Sequence, residues 1–291
     1  MDMYYSDYEK FELDEEKFFE AFPKRPADAH KGSSGRVLLV SGSFGMAGAA
    51  SLNILGAKAL GAPYIMAAVP EDIYPIVAPG SITTVYLPYK EGCGRRRVMN
   101  APGNVRSAAI GSGSDNNPDL EDMLLFMLHC DYPLVIDAAS LKLIRNKADI
   151  LKKRKCPAVI TPHMGEFAAL CPQFASLAEE DPAEAAAKCA AELGTITVLK
   201  GPNTAVASPL GRVYINKSGN QGLAQAGSGD VLTGMIAAML NFADDPFEAA
   251  CMGVFAHGLA ADRLVRTHAV QTMPLEKIPQ AMDELFYEHG Y

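Results

Sequence analysis

The sequence lacks the features that would mark a membrane, secreted or metal-built protein. No run of about 18 uncharged apolar residues occurs, so no segment reads as a membrane-spanning helix. Residues 1–20 carry eight acids (Asp2, Asp7, Glu9, Glu12, Asp14, Glu15, Glu16, Glu20) against Lys10 and Lys17, a charge balance opposite to that of a signal peptide. The six cysteines (Cys93, Cys130, Cys156, Cys171, Cys189, Cys251) never come closer than 15 positions and form no CxxC pair; reduced thiols, mostly in the core of a cytoplasmic protein, follow. No HxxxH or HExxH spacing exists, and the nearest two histidines, His257 and His268, are 11 apart, so nothing argues for zinc. Two nucleotide fingerprints are missing as well. The loop after the first apolar strand spaces its glycines as Gly42, Gly45 and Gly48, which is not GxGxxG, and Gly111-Ser112-Gly113 has Asn116 where the third glycine belongs. No glycine is followed by lysine, which removes the P-loop along with the Rossmann motif.

What is present is an ordinary globular composition: 291 residues, 49% hydrophobic and 21% charged, with a net charge of -8. The basic clusters Arg95-Arg96-Arg97 and Lys152-Lys153-Arg154-Lys155 lack interleaved aromatics, so nucleic acid is not an expected partner. A short helix is predicted over Glu15 to Phe22, then a strand at Val37–Val40, a glycine loop and a helix from Ala49 to Leu60. Strands follow near Tyr64–Val69, Thr83–Leu87, Ala108–Ile110, Leu134–Ile136 and Ala158–Ile160, with helices at Leu120–Leu128 and around Leu141–Leu151. This alternation implies a mainly parallel sheet covered on both faces. From Thr195 the pattern changes to three short strands, Thr195–Leu199, Thr204–Ala207 and Val213–Ile215, separated by turns; that is an antiparallel meander. Helices beginning at Gly227, near Phe247–Arg266 and at Leu275–Tyr287 close the chain. No linker, low-complexity tract or repeat interrupts it, so the expected fold class is a single α/β domain.

Three stretches carry candidate chemistry. In Gly227-Ser228-Gly229-Asp230 the glycines let backbone amides converge on an anion, and the helix that starts there adds its positive end. Gly227, Ser228 and Gly229 are the expected anion hole for a transferring phosphate, and Asp230 is either the base that takes a proton from an attacking hydroxyl or a plain helix cap. Thr161-Pro162-His163-Met164-Gly165-Glu166 follows a strand, on the edge where open α/β sheets bind ligands; His163 is a binding residue or a structural one. Leu199-Lys200-Gly201-Pro202-Asn203-Thr204 is a lysine-bearing turn that can meet a polyphosphate or serve only as a hairpin.

In this order the stretches resemble the ADP/ATP-dependent NAD(P)H-hydrate dehydratase family of the ribokinase-like superfamily. The resemblance rests on His30-Lys31-Gly32 with Gly35, Gly42-Ser43, Gly48-Ala49-Ala50, Gly111-Ser112-Gly113, Asp137-Ala138, the 161–166 and 199–204 stretches, Gly219-Asn220, Ala224 and the 227–230 loop. It covers about residues 28 to 270, leaving 1–27 as an N-terminal extension ahead of a dehydratase domain at 28–291. The GSGD loop alone is shared with sugar and vitamin-precursor kinases, whereas HKG with TPHxGE and LKGxxT is more specific.

The resemblance implies a ribokinase-like fold and a repair reaction, the removal of water from the hydrate of NADH or NADPH driven by ADP or ATP with Mg2+. It assigns Ala49, Gly113, His163 and Asp230 to the hydrate, and Lys200, Gly201, Pro202, Asn203, Thr204 and Gly229 to the adenine nucleotide; the metal ligands are left unassigned. It also implies a homo-oligomer, a tetramer, with a separate epimerase as a candidate partner, because the epimerase domain of full-length bacterial relatives does not fit into the stretch before His30. Many relatives have Asp-Ala-Asp-Ala-Leu where this chain has Asp137-Ala138-Ala139-Ser140-Leu141, which removes a second acid there. Two other readings stand beside this one: a small-molecule kinase whose product keeps its phosphate, and a nucleotide-sensing module without turnover. Asp230 speaks against the second, since an acid beside a phosphate weakens pure binding.

Overall fold

A computed structural model describes residues 8–29, 35–156 and 158–291; the His30-Lys31-Gly32 run lies outside them. The chain runs β1 (Glu9–Phe11), α1 (Glu15–Ala21), β2 (Arg36–Val40), α2 (Ala47–Ala59), β3 (Ile65–Pro70), α3 (Tyr74–Val77), β4 (Val85–Tyr89), α4 (Gly94–Met99), β5 (Val105–Ile110), α5 (Pro118–Leu128) and β6 (Leu134–Ile136). It continues with α6 (Ala139–Ile144), α7 (Ala148–Lys152), β7 (Val159–Ile160), α8 (Met164–Leu170), α9 (Ala175–Glu180), α10 (Pro182–Leu193), β8 (Ile196–Leu199), β9 (Ala205–Ala207) and β10 (Arg212–Ile215). Three long helices end it: α11 (Ser228–Phe242), α12 (Pro246–Leu264) and α13 (Ile278–Glu288).

The strands form one sheet in the order β1-β10-β9-β8-β7-β6-β5-β2-β3-β4. β9 is antiparallel to both neighbours and every other pair is parallel, which is the expected parallel sheet with its short meander. Alternation within one strand divides the core: Val37 and Leu39 face the layer of α2, α11 and α12, while Leu38 and Val40 face the layer of α5 and α10. Each such side chain taken fully out of water contributes roughly 1.5–3 kcal/mol. Phe18, Phe19 and Phe22 of the first helix and its C-cap pack into the first of these layers, and β1 pairs with β10, so residues 9–22 share the main core. None of the described helices is long and apolar enough to cross a membrane.

Three elements differ from the sequence reading. Residues 175–193 receive no predicted element, yet form α9 and α10; α10 is alanine-rich, so its apolar stripe has little contrast, although Asp181 caps it, Pro182 opens it and Gly194 closes it at φ 68°. The single helix expected around Leu141–Leu151 is two, α6 and α7, parted at Arg145–Lys147. β1 has three residues and exists as a strand through its pairing with β10, which local pattern does not reveal.

Where α2 crosses α11 the backbones nearly touch. A Cβ on Gly56 would lie 2.0 Å from the Val231 carbonyl oxygen, and one on Gly234 would lie 2.0 Å from that of Asn53. Backbone cannot move aside as a flexible side chain can, so Gly234→Ala is expected to lower stability by at least about 2 kcal/mol. Chemical denaturation measures it, and an unchanged midpoint would contradict this packing. The crossing also has a functional consequence, because the same turn of α2 offers Asn53, whose Nδ2 donates to the Asp230 carbonyl at 2.8 Å and fixes the start of α11.

Candidate active site

The chain winds outward from β2 to β4, returns to β5 on the other side of β2, and then winds the opposite way. The crevice at such a switch, beyond the strands' carboxyl ends, is the ligand side of an open α/β sheet. Ala49 and Gly113 meet there: a Cβ on Gly113 would sit 2.3 Å from that of Ala49, and Ser43 Oγ donates to the Gly113 carbonyl at 2.9 Å. Next to them opens a cleft of about 810 Å³, whose walls include Asp137, His163, Glu166, Lys200, Gly201, Pro202, Thr204 and Gly227 to Asp230. Nine of the ten residues assigned to the two ligands or to catalysis are therefore either at the switch or in the cleft. Asn203 is the exception: it lies exposed in the β8–β9 turn and does not line the cleft.

Asp230 is not the cap of its helix. Gly227 holds the N-cap position at φ 93° with no side-chain cap bond, and Asp230 stands three residues in. Burial pushes its carboxyl up to about 6, with further upward pressure from the nearby Asp137 charge and a partly compensating pull from Lys200. The expected anion hole of Gly227, Ser228 and Gly229 needs one correction: the Ser228 amide turns back to the Gln225 carbonyl at 3.3 Å, whereas the amides of Gly227, Gly229 and Asp230 have no backbone acceptor among the described residues. The first turn thus keeps donors for an anion beside a carboxyl that readily holds a proton. His257 of α12 lies behind this turn, its Nε2 3.5 Å from Ser228 Oγ, and burial with the Lys200 charge pushes it down to about 4, so it is a neutral imidazole.

Lys200 links the two sides of the cleft. Its ammonium pairs with Asp137 Oδ1 at 3.1 Å and lies 3.9 Å from Glu166 Oε2, and a Cβ on Gly229 would stand 3.2 Å from Nζ. Asp137 is only 2% exposed, yet each oxygen is satisfied: Oδ1 also accepts from Thr161 Oγ1 at 2.8 Å and Oδ2 from Ser112 Oγ at 2.9 Å. Such a buried charge is tolerable because it is paired and hydrogen-bonded. Ala138 beside it is the one non-glycine with positive φ among the described residues, at φ 47° and ψ -119°. That backbone is strained by about 1–3 kcal/mol, which the surrounding packing offsets. Sequence reasoning placed Asp137 in a family motif without giving it a role; the available signal was its position directly after a buried strand. Glu166 and His257 had no stronger one.

His163 turns out to be both structural and exposed to the cleft. Its Nδ1 accepts from the amides of Gly165 at 3.1 Å and Glu166 at 3.3 Å, while Glu166 Oε2 accepts from the His163 amide at 2.9 Å, a complete capping box for α8. An accepting Nδ1 places the ring proton on Nε2, which lies 3.5 Å from Glu166 Oε2 in a side chain that is 61% exposed. Lys200 to Thr204 is indeed the β8–β9 turn, closed by Thr204 Oγ1 donating to the Gly201 carbonyl at 3.0 Å. The turn is made by the same five residues that the resemblance assigns to the nucleotide.

A switch-point sheet with an acid at a glycine-opened helix is a ribokinase-like architecture. The fold matches that of a ribokinase-like superfamily protein from Enterococcus faecalis V583 with a TM-score of 0.84, over 99% of both chains at 23% identity, a likeness of fold alone. The profile of the NAD(P)H-hydrate dehydratase family matches residues 37–283, and the chain belongs to that family. Its structure is similar to the crystal structure of ADP/ATP-dependent NAD(P)H-hydrate dehydratase from Bacillus subtilis co-crystallized with ATP/Mg2+, with 31% identity and a TM-score of 0.84, covering 95% of this chain and 97% of that one. Its sequence is 38% identical over 259 residues to the bifunctional NAD(P)H-hydrate repair enzyme Nnr of Moorella thermoacetica, which takes in 86% of this chain and 49% of the relative; the chain spans about half that relative's length.

Proposed function

We propose that the protein dehydrates the hydrate of NADH or NADPH at the expense of ADP or ATP. The observation that carries this reading is a buried Asp230, its carboxyl raised to about 6 and so a stronger base than an ordinary aspartate, beside the unbonded amides of its own helix turn and the Lys200 ammonium. Hydroxide leaves poorly from carbon. Phosphorylation of the hydrate's hydroxyl makes the leaving group phosphate, which the ring nitrogen expels as a neighbouring C–H proton departs and the double bond returns. Asp230 accepts the hydroxyl proton as oxygen attacks phosphorus, and the amides at 229 and 230 with Lys200 take up charge on the transferring group.

Among the described residues no three of His, Cys, Asp or Glu converge as a metal cage. A Mg2+ brought in with the nucleotide would neutralise phosphate charge in this cleft, whose carboxylates are Asp137, Glu166 and Asp230. The hydrate takes the Ala49, Gly113, His163 and Asp230 side, and the nucleotide takes Lys200 to Thr204 and Gly229. By family resemblance the protein is read as a cytoplasmic homo-tetramer working beside a separate epimerase.

His163 separates binding from folding in this scheme. His163→Ala removes the cap, at about 1 kcal/mol, together with the Nε2 contact, whereas His163→Asn keeps a cap acceptor. Both are expected to raise the Michaelis constant for the hydrate, with only the alanine variant melting lower. An unchanged hydrate constant in both would make His163 a cap alone. The reading as a whole is tested by adding NADH hydrate with ADP or ATP and following reduced-nicotinamide absorbance and free phosphate. Both should rise together; a phosphorylated product with no free phosphate would instead be the outcome of a plain kinase.

A further inference from the structure

The segment from Asn216 to Gly222 forms the wall of the cleft next to the nucleotide turn. The Asn216 amide donates to the Thr204 carbonyl at 2.9 Å, and Asn216, Ser218, Gly219 and Asn220 all line the cleft. The segment is neither strand nor α-helix; Asn216 ties it internally, its Nδ2 donating to the Ser218 carbonyl at 2.9 Å and its Oδ1 accepting from Ser218 Oγ at 2.9 Å, and contacts outside the segment fix where it lies. The outside partner is one stripe of α12, residues 255, 258 and 262, at helical spacing.

Three contacts make the attachment. Ser218 Oγ donates to the Phe255 carbonyl at 2.9 Å. Gly258 has no side chain where the segment passes, and a Cβ there would lie 2.2 Å from Ser218 Oγ and 2.6 Å from the Ser218 carbonyl oxygen. Asp262 then receives two bonds at once: the Gly219 amide to Oδ2 at 2.7 Å and Asn220 Nδ2 to Oδ1 at 2.9 Å. Gly219 reaches that position at φ 102°, open to glycine and strained for other residues. Asp262 itself does not line the cleft. Bonds to an ionised acceptor are shorter and stronger than neutral ones, and this bidentate pair fixes both the backbone and the side chain of adjacent residues.

We propose that Asp262 is a positioning residue for nucleotide binding, holding the 216–222 wall against α12 so that it meets the nucleotide held by Lys200 to Thr204. The inference rests on the nucleotide-dependent reading above and adds a residue that touches neither ligand. Asp262 acts through donor and acceptor polarity, so reversing the polarity at both ends restores the contact. In Asp262→Asn the new amide nitrogen faces Asn220 Nδ2, donor against donor. Adding Asn220→Asp turns the second bond around, while the amide oxygen at 262 still accepts from Gly219.

The test is binding of ADP and of ATP, each with Mg2+ and without hydrate, by titration calorimetry to the full chain. Asp262→Asn is expected to weaken binding at least about tenfold, and Asp262→Asn with Asn220→Asp to return it to within about threefold of the unaltered protein. If the unaltered protein binds neither nucleotide, the functional reading fails. If it binds and Asp262→Asn binds equally well, or the double variant is no better than the single one, the positioning role fails. Should Asp262→Asn not yield folded protein, Asn220→Ala removes the second bond together with the one that Asn220 Oδ1 accepts from the Gly222 amide at 3.0 Å, and undiminished nucleotide affinity there overturns the proposal.

Discussion

Asp230→Asn is expected to lower turnover by at least about two orders of magnitude, the scale on which a general base acts, with nucleotide affinity nearly unchanged. The same substitution is expected to stabilise the fold at neutral pH. The folded carboxyl titrates near 6 against an ordinary 3.8, so the folded chain holds this proton more tightly than the unfolded one. The stability it contributes is full below about pH 4 and is lost as pH rises through about 6, leaving a penalty at neutral pH that the neutral amide does not suffer. For a partly solvated group the gain is roughly 1–2 kcal/mol, a melting rise of a few degrees about pH 8. In the unaltered enzyme the corresponding limb of kcat/KM rises with pH through about 6. A variant that melts lower and turns over normally would show that Asp230 serves the helix instead of the reaction.

Lys200→Ala has the second largest expected effect. It should raise the Michaelis constant for nucleotide at least about tenfold, and more than that for hydrate, because the proposed function sets this ammonium at the phosphates as a point charge. Two further changes follow from its contacts. Asp137 loses its ion-pair partner while only 2% exposed, which costs about 3 kcal/mol of stability even with Ser112 and Thr161 still donating. Lys200 also holds the Asp230 carboxyl down, so its removal moves the low-pH limb upward from about 6. Steady-state kinetics across pH with parallel melting curves measures all three. A limb that moves downward, or a hydrate constant that alone rises, would break the assignment of Lys200 to the phosphates.

How much of this was legible in the sequence depends on the range of the interaction. The parallel sheet, its meander and the helix opened at Gly227 are encoded in neighbouring residues, through apolar runs and glycine loops, and they form where they were expected. His163 and Lys200 stood out because each follows a strand end. What local pattern cannot carry is a partner far away in the chain. Asp137 pairs with Lys200 across 63 positions, and Asn53 reaches the Asp230 carbonyl across 177. Asp262 is an unremarked acid on a helix until the fold lays Gly219 and Asn220 beside it. The cap question at Asp230 was open for a similar reason: a carboxylate near a helix start fits either role, and only the backbone angle of Gly227 with the missing cap bond separates them.

The central claim is that the hydrate's own hydroxyl attacks phosphorus and leaves as part of phosphate. The fate of that oxygen tests it most directly. Hydrate carrying a heavy-oxygen label in the hydroxyl is mixed with excess enzyme, nucleotide and Mg2+ in ordinary water, and the phosphate released in one turnover is weighed by mass spectrometry. The account predicts one labelled oxygen in each phosphate. Unlabelled phosphate, with the label found in water, would show that nucleotide hydrolysis and dehydration are separate events and would contradict the role given to Asp230.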